Sequence, residues 1–127
     1  MNNVEKMLAK YGNLPFVSSS VETPEFYILS KRLKATMQKD IEENFPNLEI
    51  SVWSKGHFYI SGFITRKNDG AIFYFNISDV RCWNVATSLI LYRSARHLKD
   101  YFGGMNLYCR ACELLEKINK ESYEFVK

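Results

Sequence analysis

The clearest pattern in the chain is a run of apolar residues with helical spacing before position 46. Its members recur at steps of three and four and occupy one face of about five turns: Phe26, Leu29, Leu33, Met37 and Ile41. The preceding Thr23-Pro24-Glu25 combines a hydroxyl cap, a proline suited to the first turn and an acidic residue, and all three favour a helix start. Because Pro46 stops continuation, the pattern predicts a helix over residues 24–44.

After Pro46 the hydrophobic period changes to alternation, which is typical of strands. Alternating segments cover 48–52, 57–65 and 71–78, and the glycine-containing segment 66–70 joins the last two as a hairpin. If paired positions sum to an odd number, the covered face holds Phe58, Ile60, Ile64, Phe73, Phe75 and Ile77. The opposite, polar-aromatic face then holds His57, Tyr59, Ser61, Tyr74, Asn76 and Ser78.

Two further helices complete the predicted fold. A short amphipathic helix precedes Gly12, an extended serine-rich connector covers 14–20, and a second main helix runs near 107–119 after a capping Asn106. The chain length is that of one domain, 1–127. These elements predict an α+β fold with an antiparallel sheet of four to five strands and two main helices packed on one face.

Segment 87–95 is predicted to form a fourth strand with Leu89 and Leu91 facing the core. The same alternation directs Arg93, and with it His97, toward the covered side. Charged residues are thus expected where this strand ends on the apolar face of the sheet.

Asp79 and Arg81 follow the third strand with the same orientation. Because buried charges require partners, Asp79 is expected to pair with Arg81 or Arg93. Two interpretations remain open, a structural clasp between strand ends and a ligand site at the edge of the sheet. The polar cluster predicted on this basis comprises His57, Tyr59, Asp79, Arg81, Arg93 and Asp100.

Positively charged residues concentrate on the helix at 24–44 and in segment 96–104, which ends in a Gly-Gly pair. The helix stripe is either a solvated face or a contact for phosphate or an acidic protein. Gly-Gly lets backbone amides approach an anion, although no established phosphate-binding motif accompanies it. The partner-binding residues predicted here are Lys31, Arg32, Lys34, Arg96, His97, Lys99 and Tyr101.

Several function classes are disfavoured by the composition. The three cysteines, Cys82, Cys109 and Cys112, are an odd number that fits a reducing compartment, and the chain lacks the second paired motif typical of zinc sites. We therefore expect a cytoplasmic protein with no metal, cofactor or membrane span. A formal net charge of +3 argues against an acidic imitation of DNA.

Three blocks of the chain form a recognisable set: WSKGHFYISGF at 53–63, YFNISDVR at 74–81 and LILYRSARHLKDYFGGMN at 89–106. Together they resemble a family of small single-domain proteins carried on bacterial mobile elements, namely plasmids, conjugative elements and phages. The residues that match the family pattern are His57, Asp79, Arg81, Arg93, His97, Lys99, Asp100, Gly103 and Gly104. The chain departs from it at Asn76, Tyr92, Ser94, Arg96, Leu98, Phe102 and Met105. The resemblance implies a mobile-element context and assigns no chemistry.

That context leads to a functional expectation. Small accessory proteins of mobile elements often inhibit host defence, so we expect an inhibitor of the anti-CRISPR or anti-restriction type whose partner is a protein or ribonucleoprotein nuclease complex. One alternative is a regulator that binds nucleic acid. The other is a metal-independent phosphodiesterase-like enzyme that uses His57 or His97 as general acid or base.

Overall fold

The computed structural model describes residues 2–14 and 23–125, in which helices pack against a five-stranded sheet. The helices are α1 (Asn3–Gly12), α2 (Pro24–Asn44) and α3 (Leu114–Lys120), and a 3-10 turn, Ala111–Glu113, leads into α3. The strands are β1 (Leu48–Lys55), β2 (Ile60–Arg66), β3 (Ile72–Ile77), β4 (Ile90–Ala95) and β5 (Leu107–Cys109). The predicted α+β class is therefore confirmed.

All neighbouring strands are antiparallel, and the sheet order β1-β2-β3-β4-β5 follows the sequence. In the central hairpin, Ile60 pairs with Ile77 and Ile64 pairs with Phe73. The two residue numbers in each of these pairs add up to an odd number, so the predicted register is confirmed. β2 begins later than predicted because Phe58 has a φ of 59°, a left-handed conformation that interrupts an extended strand.

Helix α2 has the predicted bounds, and its apolar stripe is buried against the sheet. The Thr23 hydroxyl accepts a hydrogen bond from the Phe26 amide at 3.3 Å, which satisfies a donor of the first turn. Helix α1 ends at Gly12 as predicted. Its first turn is capped by Asn2, whose side-chain oxygen accepts from the Glu5 amide at 3.0 Å.

The prediction for the fourth strand was wrong in its orientation. Phe75 pairs with Tyr92, which places Tyr92 on the core face and directs Leu91 and Arg93 to the other face. Leu89 is 50% exposed. Apolar residues stand at both odd and even positions of this segment, so its sequence pattern does not show which face is buried. The pairing with β3 determines which residues face the core.

The predicted helix near 107–119 forms only in its second half. Leu107–Cys109 is strand β5 instead, and Tyr108 lies opposite Leu91 on β4. Cys109 is buried in the core and Leu107 is partly buried against it, so apolar residues alternate over this segment as they do in a strand. Asn106 does not cap a helix, since its side chain accepts a hydrogen bond from Arg93.

The predicted connector falls mainly outside the described residues, which include only Leu14 of segment 14–20. Within the described ranges, no helix has the length and apolar character that crossing a membrane requires.

Candidate binding surface on the open face of the sheet

The sheet has one face under the helices and one open face, and the open face carries a small core of its own. Phe63, Tyr74 and Ala95 form this second apolar cluster, separate from the main core. Phe63 is fully buried although no helix covers this side. Burial of an aromatic ring on an open face requires a cover, which the chain supplies from segment 96–106, here called the roof loop.

The roof loop covers the second cluster with Tyr101. The Tyr101 ring meets Phe63 with centroids 5.4 Å apart and Tyr74 with centroids 5.6 Å apart, both in edge-on geometry. Such contacts stabilise a pair of rings beyond the area that they bury. Tyr101 is thus anchored by one side of its ring while it remains partly exposed on the other.

A charged clasp organises the beginning of the roof loop. The buried carboxylate of Asp100 accepts hydrogen bonds from the Arg96 amide and from Arg96 Nε, both at 2.8 Å. It also accepts from the Phe102 amide at 3.3 Å. These bonds hold the pKa of Asp100 far below its ordinary value. Two predicted site residues, Arg96 and Asp100, therefore fix the shape of the loop.

Arg93 fastens the far side of the roof loop to the sheet. Its guanidinium donates to Asn106 Oδ1 at 2.8 Å and to the carbonyl oxygen of Tyr101. The same group lies over the Tyr74 ring, 4.9 Å from its centroid. Arg93 therefore does not pair with Asp79, because β4 directs it to the open face.

The C-terminal segment 121–125 adds a third support that the sequence interpretation missed. Tyr123 donates to the carbonyl oxygen of Ala95, and the Glu124 amide donates to Ser94 Oγ at 3.1 Å. The Glu124 carboxylate accepts from the Met105 amide at 2.8 Å. The anion beside the Gly-Gly pair is therefore the chain's own Glu124.

Large apolar side chains are exposed along the roof loop and the adjacent strands. Phe102 is 87% exposed and Met105 is 69% exposed. Tyr108 lies nearby on β5, opposite Leu91. The name loop surface is used below for Leu89, Tyr101, Phe102, Met105 and Tyr108.

The remaining members of the predicted polar cluster lie elsewhere. Asp79 pairs with Arg81, as predicted, through Oδ2 and Nη2 at 2.8 Å, and this bond lowers the pKa of Asp79. The Arg81 guanidinium stacks over the Phe58 ring at 4.5 Å, and the exposed His57 meets that ring edge-on. Tyr59 lies beside Gly56 at the same strand end. This arrangement fits a structural clasp.

The two histidines lie at opposite ends of the sheet. His57 precedes the β2 end that pairs with Ile77, whereas His97 follows β4, whose last residue pairs with Ile72. The length of β3, about 17 Å at the usual strand rise, separates these ends. His97 Nδ1 accepts a hydrogen bond from the Lys99 amide at 3.2 Å. The structure therefore does not combine the histidines in one site.

The predicted basic residues also divide between two sides of the molecule. Lys31, Arg32 and Lys34 lie on α2, which packs on the core face. The roof loop lies on the open face, through Tyr101. The expected single surface containing both groups is therefore not formed.

The cysteines do not belong to the loop surface. Burial raises the pKa of the Cys109 thiol to about 12, whereas Cys82 is exposed. In the ranges that the structure describes, no three histidine, cysteine or acidic side chains are grouped to hold a metal ion.

Comparisons with protein-family models, with curated proteins and with solved structures found no match for this chain. The resemblance to mobile-element proteins stays a prediction from the sequence blocks.

Proposed function

We propose that the protein binds another protein through the loop surface and acts as a mobile-element inhibitor of a host-defence nuclease. One observation carries the binding part of this proposal. Six of the nine exposed large apolar side chains among the described residues fall between positions 89 and 108. Five of them are the loop surface, and the sixth is Leu98 of the roof loop. Exposed aromatic residues and methionine are enriched at protein interfaces, and a cluster of them marks an interaction site.

The charges near the loop surface favour a protein over a nucleic acid as the partner. Arg93 is engaged by Asn106 and by a backbone carbonyl, and Arg96 is neutralised by Asp100. Binding of a phosphate backbone depends on several available cations. His97 and Lys99 are also exposed in the roof loop. The loop surface itself consists of large apolar and aromatic side chains, so their desolvation would supply most of the affinity.

The bracing of the roof loop supports the same proposal. Three separate contacts hold it, from Asp100, Arg93 and Glu124. A loop that is already ordered loses less conformational entropy on binding than a flexible loop. Phe102 and Met105 are thus presented on a supported segment although they are highly exposed.

The identity of the partner class rests on the resemblance to mobile-element proteins. Inhibitors of this kind act by covering a surface of a nuclease complex, and such action requires binding and no catalysis. Exposed apolar side chains on an ordered loop are compatible with that mode of action.

The test combines affinity capture with an inhibition assay. Tagged protein is incubated with purified CRISPR or restriction nuclease complexes, and both binding and DNA cleavage are measured. We expect one complex to be bound and inhibited, and Phe102→Ala with Met105→Ala to weaken both effects at least about tenfold. Tyr27→Ala is the matched control, because Tyr27 is a large side chain that is 44% exposed on α2 and borders neither the loop surface nor the cavity between α1 and α2.

Two outcomes would contradict the proposal. One is equal inhibition by the loop variant and the wild type. The other is turnover of nucleotides or nucleic acid by the purified protein that His97→Ala abolishes, which would favour the enzyme alternative. Salt-sensitive binding of nucleic acid that Lys31→Glu and Lys34→Glu weaken would favour the regulator alternative.

A further inference from the structure

A second candidate surface lies on the opposite side of the molecule, in the seam between α1 and α2. A cavity of about 410 Å³ opens there, and its apolar lining includes Met7, Tyr11, Ile28 and Leu29. Its volume is within the range of ordinary ligand pockets. An apolar cavity of this size on an outer face can accept an anchor residue of a partner.

The cavity lies beside a contact between the two helices. Thr36 Oγ1 donates to Met7 Sδ at 3.5 Å, which joins α2 to α1. The residues that line the cavity lie toward the end of α1 and the beginning of α2. Ile28, one of the residues lining this end, remains 51% exposed.

Among the described residues that border the cavity, two are basic and one is acidic. Lys10 of α1 and Arg32 of α2 border it from opposite sides, and both side chains are exposed. Neither makes an ion pair with another residue of the described ranges. Within the part of the chain that the structure describes, Glu25 is the acidic residue that borders the same cavity. Two available cations on either side of an apolar floor are complementary to a ligand that combines an apolar and an acidic side chain.

We propose that this cavity binds an acidic amphipathic helix of a partner protein. A leucine or phenylalanine of that helix would fill the apolar floor, and a carboxylate one turn away would lie between Lys10 and Arg32. Helices commonly dock into grooves in this manner, with anchors at helical spacing. The apolar lining distinguishes the site from a nucleic-acid surface, where cations would have to follow a phosphate backbone. This proposal does not depend on the loop surface.

The test uses two synthetic peptides of about 14 residues, which is about four helical turns. One carries leucine at helical spacing with glutamate beside it, and the other has lysine in place of each glutamate. Fluorescence anisotropy measures their binding to the full chain. We expect saturable binding of the acidic peptide, at least about tenfold weaker binding of the basic one, and weakening by added salt.

Variants place the binding at the cavity. Ile28→Asp and Arg32→Glu should each weaken binding of the acidic peptide about tenfold. Lys31→Glu is the matched control, since it makes the same charge change at the neighbouring exposed position, which does not border the cavity. Circular dichroism checks that every variant remains folded.

Four results would overturn the proposal. They are no saturable binding of the acidic peptide, equal binding of both peptides, equal weakening by Lys31→Glu and Arg32→Glu, and self-association that Ile28→Asp abolishes, which would assign the cavity to a second copy of this chain. Phe102→Ala should leave peptide binding unchanged, so failure of the loop-surface function and failure of this proposal are distinguishable.

Discussion

Asp100 receives three hydrogen bonds from Arg96 and thereby closes the turn that begins the roof loop. The carboxylate is buried, whereas the arginine side chain is mostly exposed. Loss of the carboxylate therefore leaves the Arg96 and Phe102 amides without their acceptor. The turn that begins the roof loop therefore depends on this acidic group, while Arg93 and Glu124 hold the rest of the loop.

We predict that Asp100→Asn lowers the free energy of unfolding by about 2 kcal/mol at neutral pH. The pKa of Asp100 is depressed in the folded state, so the stabilisation by the carboxylate is complete above the unfolded-state pKa of about 4 and is lost as the pH falls below it. Urea denaturation should show the wild type and the variant converging between pH of about 5 and about 2.

The control for this prediction is Glu42→Gln, which changes an exposed carboxylate on α2. Its free energy of unfolding should remain near that of the wild type. If the free energies of unfolding of Asp100→Asn and the wild type differ by a constant amount over the same pH range, the proposed role of the Asp100 carboxylate is contradicted.

Gly103 and Gly104 should respond differently to replacement by alanine. A Cβ at Gly103 would lie 2.5 Å from the Ser94 carbonyl oxygen and 3.1 Å from the Ala95 Cα, and these backbone atoms cannot move independently. A Cβ at Gly104 would first meet the Glu124 carboxylate, at the end of a flexible side chain. We predict that Gly103→Ala costs about 2 kcal/mol and Gly104→Ala about half as much, as measured by chemical denaturation. Equal costs would argue against this explanation.

Glu124 should control local opening of the roof loop. Its carboxylate accepts from the Met105 amide, so Glu124→Ala should accelerate hydrogen exchange of that amide about tenfold or more. Glu116→Ala is a suitable control because it removes an exposed glutamate that pairs with Lys120 on the same helix, α3. Unchanged protection of Met105 in Glu124→Ala would show that the contact does not hold the loop.

The cysteines should differ in their reactivity toward thiol reagents. Cys82 is exposed, whereas Cys109 is buried and its pKa is raised to about 12. Because the thiolate is the reactive form, we predict that a disulfide reagent at pH of about 8 modifies Cys82 first and Cys109 only after unfolding. Mass spectrometry of the modified protein identifies the sites. Rapid modification of native Cys109 would contradict its burial.

The sequence predicted correctly those parts of the fold in which the apolar residues are compatible with only one buried face. The apolar stripe of α2 has a single buried face, and the alternation of β2 and β3 permits one register. The orientation of β4 was predicted wrongly because Ile90, Leu91 and Tyr92 are three consecutive apolar residues, so both faces of the strand carry apolar side chains. In such a segment the neighbouring strand decides which residues face the core.

The candidate surface was predicted only in part, for a different reason. The importance of Arg96, Tyr101 and Asp100 was visible in a dense polar segment with two glycines. The support from Tyr123 and Glu124 was not visible, since contacts between distant segments leave no local pattern. The separation of α2 from the roof loop likewise depends on which face of the sheet each segment covers.

The sequential strand order also has a consequence for how the chain folds. Because each strand pairs with the next one along the chain, the sheet can grow by successive addition of neighbouring hairpins, which requires the closure of short loops and favours rapid folding. Helix α1 packs on α2 and also makes a contact of long range, because Glu5 pairs with Arg110 near the other end of the chain. During synthesis on a ribosome, the buried Glu5 carboxylate therefore gains its partner only after most of the sheet has emerged.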